Sequence, residues 1–126
     1  VVAYSFQPRF VGPIIEGTKA QTIRAVGRRR HAQPGDQLQL YTGMRTRRCR
    51  LIGRATCTSL WPISISLAAN SIALGDEPVL DLDSFARQDG FAGWRSMRLF
   101  WQDTHGKALA EPWHGFVVSW ADLVPA

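Results

Sequence analysis

The sequence predicts an α+β domain: a small antiparallel β-barrel of short strands, with helices on one side. Three observations carry this. The first half of the chain breaks into short alternating segments punctuated by glycine and proline. One longer stretch, from about Arg47 to Leu60, alternates cleanly enough for a half-buried strand. After Asp83 the apolar residues switch to helical spacing. The 126 residues are the size of one domain, 1–126, able to bury a core without disulfides or metal.

Ala3 to Phe6 read as the first strand. Pro8 suits a helix start, and Phe10, Val11, Ile14 and Ile15 recur at helical spacing up to Glu16, with Gly17 as the C-terminal stop. Pro13 lies inside that run, so the helix is short, bent or begins only there. Gln21 to Val26 read as a strand, Gly27 to Gly35 as a loop, and Asp36 to Tyr41 as a strand with Leu38 and Leu40 on one face. Thr42 and Gly43 mark a turn. In the long strand that follows, Cys49, Leu51, Gly53, Ala55 and Cys57 share one face, and Arg48, Arg50, Ile52, Arg54 and Thr56 the other. Pro62 is expected to interrupt it, with Ser64 to Leu74 forming a further strand or hairpin and Gly75 to Pro78 a loop. Asp83 or Ser84 is expected to cap a helix ending near Gly90. A second helix starts around Gly93, carries Trp94, Met97 and Trp101 on a core-facing stripe with Arg98 beside it, and closes at Gly106. Trp113 to Trp120 alternate as a closing strand.

Composition narrows the class. Apolar residues make up 45% and charged residues 20%, ordinary for a globular domain. No apolar run approaches the length of a membrane span, and no secretory pattern opens the chain, which favours the cytoplasm. If Cys49 and Cys57 share a strand, they lie roughly 26 Å apart, too far for a disulfide, and read as reduced core thiols. His31, His105 and His114 have no zinc spacing with the cysteines, so no metal or other cofactor is expected. The formal charge is +5. Arg28, Arg29 and Arg30 are contiguous, and Arg45, Arg47, Arg48, Arg50 and Arg54 form a second cluster. Such clusters are either a solvated basic surface or an electrostatic footprint for phosphates.

The segment Gly17-Thr18-Lys19-Ala20-Gln21-Thr22-Ile23-Arg24 carries the densest chemistry. Lys19 is one of two lysines against thirteen arginines. An arginine stays charged, whereas a buried lysine can lose its proton and act as a base. Thr22 offers a hydroxyl for that base to activate. In a regular strand Lys19 and Thr22 point to opposite faces. They can share a cleft only if Lys19 sits on the turn after Gly17, before the strand begins; Thr22 and Arg24 would then share a face.

Phe6-Gln7-Pro8-Arg9-Phe10, Ile14-Ile15-Glu16-Gly17-Thr18-Lys19, Gln21-Thr22-Ile23-Arg24 and Gly35-Asp36-Gln37-Leu38 together resemble an ASCH domain. The match in order and spacing covers the first third of the chain. The resemblance implies a PUA-like small antiparallel β-barrel with flanking helices and a cleft lined by the lysine–threonine–arginine segment. Small bacterial members of that family remove acyl groups from the exocyclic amine of cytidine, 4-acetylcytidine being typical, with a lysine, a threonine and a glutamate. Carried over, the catalytic residues are Lys19, Thr22 and, at the acidic position, Asp89, one methylene shorter than the family's glutamate. Arg24, Phe6, Arg9 and Tyr41 are the candidate substrate-binding residues.

Read from the residues alone, Lys19 pairs with Asp89 or Glu16 as a structural ion pair, and Thr22 is a strand residue of good β propensity; the resemblance turns the balance to a functional site. The expected partner is a modified nucleoside, with a monomeric protein and no membrane. The alternative is a non-catalytic RNA-binding module using Arg28, Arg29, Arg30, Arg48, Arg50 and Arg54, because a free nucleoside has no phosphate for them to neutralise. A weaker third option is a ribonuclease.

Overall fold

The computed structural model describes residues 1–106 and 109–126. Its order is β1 (Val2–Phe6), a 3₁₀ turn (Pro8–Phe10), α1 (Val11–Glu16), β2 (Gln21–Ala25), β3 (Gln37–Thr42), β4 (Arg50–Ser66), β5 (Ser71–Leu74), β6 (Glu77–Pro78), α2 (Leu82–Gln88), α3 (Trp94–His105) and β7 (Trp113–Pro125).

β4 is the spine of the sheet. Its first half pairs antiparallel with β3, its second half with β5, and β7 runs antiparallel along its other side. β7 in turn pairs with β2, and β1 lies parallel to β3, with Val2 opposite Leu38 and Phe6 opposite Thr42. This corrects the expected antiparallel barrel. The seven-stranded sheet is mixed and it is not closed, since no backbone pairing joins β1 to β2. A side chain spans that opening: the Arg24 guanidinium donates to the Ser5 carbonyl at 2.7 Å.

The concave face holds the core. Tyr4 and Phe6 of β1, Leu38 and Leu40 of β3, Ile63 and Ile65 of β4, and Val118 and Trp120 of β7 are buried there. Ile14 of α1, Phe85 of α2, and Met97 and Trp101 of α3 close it from the other side. The core-facing stripe of the last helix is therefore where its periodicity puts it, and Gly93 and Gly106 flank it.

Four local expectations change. β4 does not stop at Pro62. The Pro62 carbonyl accepts from Gly75 N–H at 2.8 Å, so the missing proline N–H lies on that same edge, just past the end of β5, and costs only the last bond of that ladder. Ile52 is buried rather than on the arginine face. The β3–β4 register shifts between Leu40 and Tyr41, which face Gly53 and Leu51, so Ile52 is the extra residue of a bulge and the alternation changes phase there. Cys49 precedes β4 and is exposed, while Cys57 is buried; both are free thiols, and only Cys57 belongs to the core. The cap of α2 is Asp81, whose carboxylate accepts from Ser84 N–H at 2.9 Å. Asp83 instead accepts from Trp94 N–H at 2.9 Å, at the start of α3. No helix among the described residues is long and apolar enough to cross a membrane.

Candidate active site

Gly17 ends α1 in the left-handed region, φ +85°, a conformation that costs glycine little. The chain turns back so that Lys19 N–H donates to the Pro13 carbonyl at 3.0 Å. Lys19 then forms a single antiparallel bridge with Asp89, and Ala20 N–H donates to Gln88. Only at Gln21 does β2 begin. Lys19 is therefore off the regular strand, as the shared cleft requires. Asp89 is the residue that ends α2, with Gly90 following at φ +92°. A Cβ at Gly90 would stand 3.1 Å from Lys19 Cδ and 3.2 Å from Lys19 Cβ. Glycine there lets the lysine stem pass along the helix end.

The ammonium of Lys19 lies 3.3 Å from Asp89 Oδ1 and donates to the Asp89 carbonyl at 2.7 Å. That carbonyl sits at the negative end of α2, which favours a cation. Gln21 donates its amide to the same carboxylate at 3.4 Å. Lys19 is 3% exposed and Asp89 5%. The rings of Phe10 and Phe6 stand 4.6 and 5.7 Å from the ammonium, replacing part of its lost hydration. Burial pushes the Lys19 ammonium below the ordinary lysine range, against the opposing pull of Asp89, and the charges of Arg24 and Arg9 push the same way as burial. Burial pushes the Asp89 carboxyl above its ordinary range, against the opposing pulls of Lys19, Gln21 and Arg24. Both shifts favour the neutral pair, an amine beside a carboxylic acid. The two groups titrate as a unit.

Thr22 is buried and lines the same cleft as Lys19, Asp89 and Arg24. Its Oγ1 accepts from Arg24 Nε at 2.9 Å. That bond stabilises negative charge on the oxygen and leaves the hydroxyl proton free to be taken. Lys19 and Thr22 are not hydrogen-bonded to each other; the amine is turned to Asp89 and the hydroxyl to Arg24. Arg24 lies over Tyr4 and Phe6, 5.2 and 5.0 Å from their centroids, with two of its donors committed to Thr22 and Ser5 and the rest uncommitted.

The cleft has a volume of about 430 Å³, room for a nucleoside-sized ligand. Its polar lining is Lys19, Thr22, Arg24 and Asp89, and its aromatic lining includes Phe10, Phe91, Phe100, Trp101 and Trp113. Phe6 lines it, as expected from the sequence. Arg9 is exposed and covers the aromatic wall, its guanidinium within 5.2 Å of the Phe10, Phe91 and Phe100 centroids. Tyr41 is not brought to the cleft: it alternates with buried Leu40 and Thr42 and shares the outer face of β3 with Gln39, to which it donates at 3.2 Å. Glu16 is exposed, and the lysine pairs with Asp89 instead. Arg28, Arg29, Arg30, Arg48, Arg50 and Arg54 are exposed and stand outside this cleft.

The sequence reading missed Gln21 and the aromatic wall. Gln21 had one readable signal, a polar amide within the lysine segment, between Lys19 and Thr22. The wall is assembled from Phe10 of the 3₁₀ turn, Phe91 between α2 and α3, Phe100 and Trp101 of α3, and Trp113 of β7, which only the fold brings together. Among the described residues no three His, Cys, Asp or Glu side chains gather as a metal site.

No protein-family model and no curated protein matches the chain. Solved structures do. The crystal structure of ASCH from Zymomonas mobilis matches over 98% of this chain and 68% of that one, with TM-score 0.60 at 14% identity. Two point variants of the same protein, serine-to-alanine and tyrosine-to-phenylalanine, match with TM-scores of 0.58 and 0.55 at 15% identity, covering 98% of this chain and 68% and 70% of theirs. The chain has the ASCH fold.

Proposed function

We propose that the cleft is an amidohydrolase site that removes an acyl group from the exocyclic amine of 4-acylated cytidine or a closely related modified nucleoside. The observation that carries this reading is the buried Lys19–Asp89 pair beside Thr22, with both members biased toward their neutral forms. A neutral amine is a base and a protonated carboxyl an acid, the two functions amide hydrolysis needs.

In this mechanism the Thr22 hydroxyl oxygen attacks the acyl carbonyl carbon while Lys19 takes its proton. The uncommitted N–H groups of Arg24 meet the oxyanion. Asp89 delivers its proton to the departing cytidine nitrogen as the C–N bond breaks. Water, deprotonated by the Asp89 carboxylate, then cleaves the threonyl ester to give the carboxylic acid, while Lys19 returns its proton to the departing threonine oxygen, so that all three groups are restored. The aromatic lining of the cleft holds the base. The hydrogen bond between base and nucleophile forms with substrate present, since such contacts are commonly loose without it.

The test is incubation with 4-acetylcytidine and chromatography for cytidine, beside Thr22→Ala. Release by the parent and not by the variant is expected; no release from acetyl or larger acyl cytidines at high enzyme would refute the reading. The second reading, an RNA-binding module without turnover, rests on the exposed arginines at Arg28–Arg30 and at Arg48, Arg50 and Arg54. It predicts salt-sensitive RNA affinity lost on charge reversal at Arg48, Arg50 and Arg54. The ASCH-fold neighbours support kinship in fold and leave the choice between these readings to experiment.

A further inference from the structure

A second hollow of about 710 Å³ adjoins the cleft and shares Ser5, Arg24 and Ala25 with it. Its floor is the edge of β1 that faces β2 without pairing to it. Arg29, Arg30, His31 and Arg45 stand around it, and no Asp or Glu lines it.

Two loops build this hollow, and both are tied down. In the first, His31 Nε2 donates to the Ala25 carbonyl at 2.9 Å and its Nδ1 accepts from the Tyr4 hydroxyl at 3.1 Å. Asp36 accepts from Gln33 N–H at 2.8 Å and from Arg30 at 3.0 Å. In the second, Met44 N–H donates to Ser5 Oγ at 3.3 Å, and Arg45 is held at φ +65°, where a residue with a long side chain is uncommon. Arg30 thus has a carboxylate partner. Arg29 and Arg45 have none among the described residues.

We propose that this hollow is a phosphate subsite and that the ligand of the adjoining cleft is a phosphorylated nucleoside. Resting on the reading above for the base, the modified cytosine occupies the cleft at Lys19 and Thr22. The ribose crosses Arg24, and the phosphate meets Arg29 and Arg45. Guanidinium groups bind phosphate through paired N–H donors. An uncharged nucleoside gives these arginines nothing to neutralise.

Equilibrium titration of the whole chain with cytidine, cytidine 5′-monophosphate and cytidine 3′-monophosphate reads the subsite without turnover. One monophosphate is expected to bind about tenfold tighter than cytidine at low salt. That advantage falls to near parity in the double variant Arg29→Ala/Arg45→Ala and shrinks as salt rises. It persists in Arg87→Ala, a change outside both hollows. A short cytidine oligonucleotide forms the second arm. Binding as tight as the monophosphate assigns the phosphate to a polynucleotide, and weaker binding assigns it to a free nucleotide; both retain the subsite. Equal affinity for cytidine and both monophosphates overturns it. Loss of 4-acetylcytidine turnover with the phosphate preference intact removes the amidohydrolase reading alone; turnover without that preference removes the subsite alone.

Discussion

Lys19 and the arginines of β4 are basic groups in opposite surroundings. Lys19 is sealed against Asp89, Phe6 and Phe10. Arg50 and Arg54 of β4 are exposed to water, with no carboxylate partner among the described residues. Burial makes the first charge costly and therefore adjustable. Exposure leaves the second fixed in protonation and screened by salt. In the proposed mechanism the first suits proton transfer, and in the RNA-binding reading the second suits attraction at a distance.

The largest effects should fall on the buried side. Thr22→Ala should lower 4-acetylcytidine turnover by about a thousandfold or more while changing stability by only about 1 kcal/mol, the order of one hydrogen bond; steady-state rates and urea melts check this. Asp89→Ala leaves the buried Lys19 amine without its carboxyl partner and should cost about 1–3 kcal/mol in urea unfolding. The double variant Lys19→Met/Asp89→Leu should be distinctly more stable than Asp89→Ala, because no buried polar group is then left without its partner. If the double variant is no better, the pair is not the buried couple described.

Gly90→Ala comes next. It places a methyl against the Lys19 stem at a backbone angle that disfavours side chains. It should cost on the order of 1–2 kcal/mol and reduce turnover by misplacing the amine. Smallest is the double charge reversal Arg50→Glu/Arg54→Glu. Stability should move by no more than about 0.5 kcal/mol and turnover by less than about twofold, since exposed charges contribute little. A large loss of turnover there would erase the contrast and favour the polynucleotide reading.

The pH dependence follows from the direction of the shifts. The base works deprotonated, so turnover should rise with pH through a Lys19 value below the ordinary lysine range. The Asp89 carboxylate raises the Lys19 value, so in Asp89→Asn the acidic limb of whatever activity remains should move to lower pH. A limb that stays in place would show that another group controls it.

Much of this was legible in the chain. Gly17 as a stop, the position of Lys19 before β2, and Thr22 and Arg24 on one face all follow from local rules that tertiary packing did not override. The Lys19–Asp89 contact joins residues 70 apart in sequence. No local pattern contains it; the resemblance supplied it. Barrel closure was misjudged because alternation reports which residues face inward, not which strand edges meet. Ile52 was misassigned because one bulge reverses the phase of everything before it. Tyr41 was placed in the cleft on its chemistry alone, whereas the parity of β3 puts it outside.

The most direct test of the buried couple is to titrate the lysines by NMR in protein labelled at lysine Cε. The chain has two lysines, Lys19 and Lys107, so two signals are expected, and Lys19→Met assigns them. The account predicts that Lys19 titrates below the ordinary value of about 10.4, and lower still in Asp89→Asn. A Lys19 signal that titrates at or above the ordinary value would contradict it, leaving Lys19 a permanent cation and the pair a structural ion pair.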